Sequence, residues 1–270
     1  APSGTGQACQ RDRRHPCVRQ GVPDAAIQHF IHIPGPTPQY WLMIPDDITR
    51  RICESLCATD ILGFQTIGDV RCFLDTVDEF VPDAAVDRND HTVDLKGHKT
   101  SVKVYPISIN VEEVQRIANT PRALDYETKL AQDTGEFTIV RIDRAEPNKN
   151  IVRGFRAYEL LLTRYPELKG KVKFLAFLVP SRTHIRQYQR YMDEIQQVVQ
   201  QINNNHGTDD WQPIVPFIEN NYTQAIAGMK LYDVLLVNTI IEGMNLVAKE
   251  GPVVNKRDGV LVLSHSSGVY

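Results

Sequence analysis

The hydrophobic pattern of this chain changes character along its length. Residues 1–24 mix Arg, Gln, Gly, Ser and Pro with no regular period, and the stretch reads as an irregular leader. An apolar run over residues 25–33 then predicts a strand, stopped by the breakers Pro34-Gly35-Pro36-Thr37-Pro38, which leaves His32 at a strand end. Spacings of three and four predict a helix over 46–57, with Asp46 as its cap, and another over 67–80, with Pro82 beyond its end. Alternation over 91–109 predicts strands turning at Lys96-Gly97, and helical spacing returns over 111–119.

From about residue 136 the pattern becomes strand, loop, helix, repeated. Strands are expected at 137–142, 172–179, 214–217, 234–238 and 260–264, and helices at 151–164, 188–203, 223–231 and 245–253. Buried strands alternating with helices predict a parallel sheet covered on both faces, and so an α/β fold. Ligands of such sheets gather beyond the carboxyl ends of the strands. The last predicted strand comes just before the chain stops, where a covering helix is expected, so both ends read as cut.

Composition narrows the classes of function. The 270 residues are 42% hydrophobic and 23% charged, as in ordinary globular proteins. Lys and Arg total 30 against 33 Asp and Glu, a net charge of -3, which disfavours a nucleic-acid grip resting on bulk positive charge. No apolar run approaches the roughly 20 residues that span a bilayer, and no secretory leader is expected. The five cysteines, Cys9, Cys17, Cys53, Cys57 and Cys72, form no CxxC pair or zinc array. A reducing, cytoplasmic setting fits that usage, with Cys53 and Cys57 as small apolar residues of one helix.

Four places carry candidate chemistry. In Arg144-Ala145-Glu146-Pro147-Asn148-Lys149-Asn150 two cations precede a helix start, where free N–H groups and the helix dipole favour anions. The same pattern also describes a solvated basic loop. Glu242-Gly243-Met244-Asn245-Leu246-Val247-Ala248-Lys249-Glu250 follows a strand and opens a helix. There Gly243 permits an unusual backbone or a close ligand, Asn245 caps the helix, and Glu250 is either a ribose acceptor or a surface residue. Arg182, in Pro180-Ser181-Arg182, is either a phosphate ligand or an exposed loop arginine, and His32 is either structural or functional. GxxxxGK, GxSxG, HExxH and DxD are all missing, so diphosphate chemistry here rests on Arg and Lys, with no metal requirement and no cofactor expected.

Taken in order, these segments resemble glycosyltransferase family 20, the trehalose-6-phosphate synthases. His32-Ile33-Pro34, Gly63-Phe64-Gln65-Thr66, Tyr105-Pro106-Ile107, 203–211 and 259–264 are similar as well, and the GMNLVAKE octet at 243–250 is highly specific. The resemblance implies a GT-B fold, with two Rossmann-like domains facing across a cleft. The leader would be 1–24, the rest of an incomplete acceptor-side domain 25–135, and a nucleotide-sugar-binding domain, truncated at its end, 136–270. It implies transfer of glucose, with retention and no covalent intermediate, from a nucleoside-diphosphate glucose to glucose 6-phosphate, giving trehalose 6-phosphate.

By motif position Arg144 and Lys149 hold the donor diphosphate and Glu250 the ribose. Glu242, Gly243, Met244, Asn245, Leu246 and Val247 line the donor, His32 stands beside its glucose, and Arg182 receives the acceptor phosphate. Glu242 and Glu146 stand where the family usually has Asp. The amino-terminal acceptor-binding region of the family has no counterpart, and 1–23 bears no resemblance to the segment expected there. A glucosylglycerol-phosphate synthase, a pseudo-glycosyltransferase and a catalytically silent nucleotide-binding fragment stay open as alternatives. The expected partners are the two small substrates, with neither nucleic acid nor membrane, while donor base and homo-oligomerisation are left open.

Overall fold

The computed structural model describes residues 14–270, with side chains from His15. The chain divides into two compact units, the first ending at Ile107 and the second running from Ser108 to Tyr270.

In the first unit β1 (Gln28–Phe30), β2 (Ile61–Phe64), β3 (Ala84–Asp87), β4 (Thr92–Leu95) and β5 (His98–Val104) form one sheet in the order β1-β2-β5-β4-β3. Its β1-β2-β5 side is parallel, and β5-β4-β3 is an antiparallel meander. The expected turn at Lys96-Gly97 is present, with φ of 55° and 80°, the left-handed pair that a tight hairpin turn requires. Helix α1 (Arg14–Gly21) replaces part of the expected irregular leader: Arg19 pairs with Asp60 at 2.6 Å and donates to the carbonyls of Pro23 and Ala25, tying the helix to β2. Residues 1–13 of that leader, Cys9 among them, lie outside the described residues. The predicted strand 25–33 shrinks to β1, and a single turn, α2 (Pro38–Trp41), follows the proline-rich breaker.

Helix α3 (Asp46–Leu56) is capped at Pro45 rather than by the Asp46 side chain, which lies in its first turn. Helix α4 (Ile67–Phe80) matches its prediction. Its Thr66 side chain accepts from the Asp69 amide while the Asp69 carboxylate accepts from the Thr66 amide, a capping box. Cys53 and Cys57 pack among Leu62, Phe64, Val70 and Leu74, and burial pushes both thiols up to about 12, as expected of small core residues.

The second unit holds β6 (Phe137–Arg144), β7 (Val172–Val179), β8 (Ile214–Ile218), β9 (Val234–Val237) and β10 (Val260–Leu263), all parallel, in the order β10-β9-β6-β7-β8. Its helices are α5 (Val111–Ala118), α6 (Pro121–Ala131), α7 (Ile151–Arg164), α8 (Arg186–His206), α9 (Tyr222–Met229) and α10 (Val247–Val254). The central strand β7 explains the layering. Phe174, Ala176 and Leu178 face α7 and α8 through Phe155, Tyr158 and Ile195, whereas Leu175 and Phe177 face Ala225, Ala227 and Leu130. A strand covered on both faces reads as a nearly continuous apolar run, and this one is apolar except for the half-buried Lys173.

The second compact unit begins at Ser108, ahead of the boundary near Gly135 that the resemblance implies. Helices α5 and α6 belong to the second unit because Val114 and Ala118 pack with Ile226, Met229 and Val254, and the Asn221 amide donates to the Tyr126 hydroxyl at 2.9 Å. Among the described residues no helix is long and apolar enough to cross a membrane.

Candidate functional site

The strand order of the second sheet creates one switch point. The chain runs outward from β6 through β7 to β8, then returns to place β9 and β10 on the other side of β6. A crevice therefore opens beyond the carboxyl ends of β6 and β9, where open α/β sheets bind ligands. The turn after β6 and the segment after β9 are the two stretches that the sequence singles out.

Arg144 is the last residue of β6 rather than part of a loop, paired with Val179 of β7. Its side chain is 58% exposed and meets Glu146 at 3.1 Å; Glu146 in turn accepts from the Ser181 hydroxyl at 2.7 Å. Glu146 thus links Arg144 to Ser181 across the two strand ends. Pro147–Lys149 form a 3-10 turn, and Asn150 takes the left-handed conformation (φ 59°, ψ 34°), which Asn tolerates better than most side chains.

Lys149 is buried, unlike a cation in a solvated loop. Its ammonium contacts the Glu242 carboxylate and lies 3.6 Å from Asp143. At the α7 start the Ile151 amide donates to the Tyr191 hydroxyl at 3.0 Å.

The start of α10 lies in the segment after β9. Asn245 accepts from the Ala248 amide at 2.9 Å through Oδ1, as its expected capping role requires, and donates through Nδ2 to Glu242 Oε2 at 2.9 Å. The Leu246 and Val247 amides make no hydrogen bond among the described residues. Met244, Leu246 and Val247 are half-buried. Gly243 is buried with an ordinary φ, so its backbone is not an unusual one. Glu250 is buried one turn on and accepts from the Tyr222 hydroxyl at 2.8 Å. Burial pushes its carboxyl above the ordinary glutamate value, against the pull of the Tyr222 hydrogen bond.

Arg182 is exposed and left-handed (φ 46°), with Nη1 donating to the Tyr188 hydroxyl at 2.7 Å and its guanidinium 5.2 Å from the Tyr188 ring centre. His32 belongs to the first unit, exposed beyond β1 and edge-on to Phe30 with ring centres 4.7 Å apart. The second unit therefore brings Lys149 onto Glu242 and Glu242 onto Asn245, while Arg144 and Arg182 each stand apart with their own partners.

Three residues that the sequence reading passed over complete the site. Arg141 is fully buried: its Nε donates to Asp143 at 2.9 Å, Nη1 to Asn238 Oδ1 at 2.7 Å, and Nη2 to the Lys149 carbonyl. Asp143, also buried, faces both Arg141 and Lys149. Desolvation drives its carboxyl up from the ordinary range, opposed by those two cations. The signal available was two charged residues on one face of an otherwise apolar strand, a pattern that a buried parallel strand does not tolerate without a partner.

The description "Glycosyltransferase family 20" matches residues 15–270. The chain is 34% identical over 251 residues to a trehalose-6-phosphate synthase of Klebsiella pneumoniae, covering 90% of this chain and 51% of that protein. It is 33% identical over 263 residues to one from Escherichia coli, covering 94% and 53%, so it spans about half the length of these curated relatives. Among solved structures, one described as trehalose-6-phosphate from E. coli bound with UDP-2-fluoro glucose aligns with a TM-score of 0.85 at 28% identity over 96% of this chain and 57% of that one. A Burkholderia xenovorans alpha,alpha-trehalose-phosphate synthase (UDP-forming) in complex with glucose-6-phosphate gives 0.86 at 29% over 95% and 57%. The two parallel-rich α/β units are of the GT-B type that these neighbours share, and the chain belongs to glycosyltransferase family 20.

Proposed function

We propose that this chain carries the donor-binding apparatus of a retaining glucosyltransferase that moves glucose from a nucleoside-diphosphate glucose to glucose 6-phosphate, giving trehalose 6-phosphate. The observation that carries this reading is the meeting of Lys149, Glu242 and Asn245 at the switch point, beside the unbonded amides of Leu246 and Val247. The relatives' names, and the donor analogue and glucose-6-phosphate in two structural neighbours, support it.

The chemistry follows from charge. Breaking the bond between a hexose and a nucleoside diphosphate loads negative charge onto the departing phosphates. Cations and amides already aimed there lower the barrier without reorganising, each contributing on the order of a hundredfold to a thousandfold in rate. In this assignment Arg144 swings its exposed guanidinium onto the diphosphate, the Lys149 ammonium faces the same phosphates, and the Leu246 and Val247 amides close the other side. Gly243 and Met244 border the donor sugar. Glu242, already joined to Lys149 and Asn245, sets the position of that sugar, and Glu250 accepts from the ribose. Arg182 exchanges the Tyr188 hydroxyl for the acceptor phosphate, a stronger charge-assisted partner. No side chain acts as a nucleophile, and no metal is needed.

Calorimetric titration of the chain with UDP, GDP and ADP tests the assignment. The native chain is expected to bind at least one of them, and the Arg144→Ala, Lys149→Ala double variant to lose about a hundredfold in affinity, as removal of two charged hydrogen bonds implies. Unchanged affinity in that variant would refute the diphosphate site. Release of nucleoside diphosphate with glucose 6-phosphate, against glycerol 3-phosphate, reads the acceptor; turnover with glycerol 3-phosphate alone overturns the trehalose assignment.

A further inference from the structure

The mechanism above uses Lys149 but not the group that holds it. Lys149 sits at the end of a three-residue 3-10 turn followed by a left-handed Asn150, and so short an irregular segment fixes its own geometry poorly. The fixing comes from Arg141. One guanidinium binds three oxygens from three places: the Asp143 carboxylate on its own strand, the Asn238 side chain just past β9, and the Lys149 backbone carbonyl. Asn238 and Asn150 complete the link, with the Asn150 amide donating to the Asn238 carbonyl at 3.0 Å. The backbone amide of Ile240 then donates to the Asn148 carbonyl at 2.8 Å.

Helix α7 makes room for this guanidinium. A Cβ at Gly154 would lie 2.5 Å from Arg141 Nη1 and 3.3 Å from Asn238 Oδ1. A glycine within a helix costs up to about 1 kcal/mol relative to alanine, and here, in the first turn of α7, its absence of a side chain is what admits the arginine.

We propose that Arg141 is a positioning residue for donor binding, which aligns Lys149 by clamping the 3-10 turn after β6 to the end of β9. The inference rests on the reading of Lys149 as a diphosphate ligand. A lysine in place of Arg141 keeps the charge beside Asp143 but lacks the planar fork that reaches three acceptors at once. The turn is then released while the buried charge balance is kept.

The first test needs no ligand. Acetylation of the native chain, followed residue by residue by mass spectrometry, is expected to find Lys149 and Lys230 both protected, since each is buried in an ion pair. In Arg141→Lys, Lys149 is expected to react about tenfold faster, the scale of one lost charged hydrogen bond, with Lys230 unchanged. Gly154→Ala, which displaces the guanidinium without removing it, is expected to give the same selective loss and serves if Arg141→Lys does not fold. Equal acceleration of both lysines, or of neither, overturns the inference.

The second test is a double-mutant cycle read as affinity for whichever of UDP, GDP and ADP the native chain binds best. Arg141→Lys is expected to weaken binding about tenfold in the native background and not at all in Lys149→Met. An equal loss in both backgrounds assigns Arg141 a general structural role and contradicts the proposal. Native-like affinity of Lys149→Met alone removes the diphosphate reading instead, so the two failures are told apart.

Discussion

Two arginines in this molecule each clasp acidic partners on their own unit, and they do different things. In the first unit Arg88 reaches Asp75 at 3.0 Å and Asp78 at 2.9 Å, all three side chains about half exposed. In the second, Arg141 reaches Asp143 at 2.9 Å with the arginine fully buried and the aspartate nearly so. The distances are alike; the surroundings are not. Water and salt screen the first clasp, and exposed ion pairs of this kind add little to stability. The second has no water to fall back on, so the donors of Arg141 must find protein oxygens, and those they find belong to Asp143 on its own strand and to the two loops that form the candidate site. Burial converts an ordinary ion pair into a device that fixes geometry.

The largest effect expected from this contrast comes from Asp143→Ala, which leaves Arg141 and Lys149 buried with their nearest shared counter-charge gone. A destabilisation of about 3–5 kcal/mol is expected from denaturant melts, the scale of breaking a buried ion pair.

A smaller effect follows from Glu250, whose carboxyl burial raises above 4.5. For an acid with a raised folded pKa, the neutral form is favoured in the native state. Its stabilising contribution is therefore present below the ordinary value and is lost as pH rises through the raised one. Stability and ligand binding then pull in opposite directions. Nucleoside diphosphate affinity, which in the proposed assignment needs the carboxylate as a ribose acceptor, should fall as pH drops through that raised value, before an ordinary glutamate protonates. In Glu250→Gln this acid limb should be absent and affinity uniformly lower; a limb that persists contradicts the ribose assignment. The smallest effect is that of Asp75→Ala, whose melting midpoint is expected to match the native one, and a large loss there would erase the contrast between the two clasps.

How far the sequence reveals this structure depends on how local each signal is. Helix α4 is written in a capping box and a regular apolar spacing, and β7 in the apolar run Phe174-Leu175-Ala176-Phe177-Leu178-Val179 that Pro180 ends. Strand β2 escapes because Ile61–Phe64 is four residues long and contains Gly63, whose missing side chain leaves space for the Phe30 and Tyr105 rings. Strand β3 escapes because Ala84–Asp87 has only one β-branched residue, Val86. Helix α6, opened by Pro121, is also missed, and with it the start of the second compact unit.

The candidate site divides in the same way. The segment 243–250 announces itself by its residues, and Asn245 caps as its position predicts. The contact of Lys149 with Glu242 joins residues 93 positions apart and exists because β9 returns beside β6, an ordering that no local period encodes. Arg141 lies one step beyond that, since its role depends on both loops being in place.

The central claim is that the β6 and β9 strand ends hold a diphosphate. Crystals of the chain with a bound nucleoside diphosphate test it most directly. The phosphates are expected against Arg144, Lys149 and the amides of Leu246 and Val247, with Arg144 moved off Glu146. Phosphates bound elsewhere, with Lys149 still closed on Glu242 and Arg144 still on Glu146, would contradict the account.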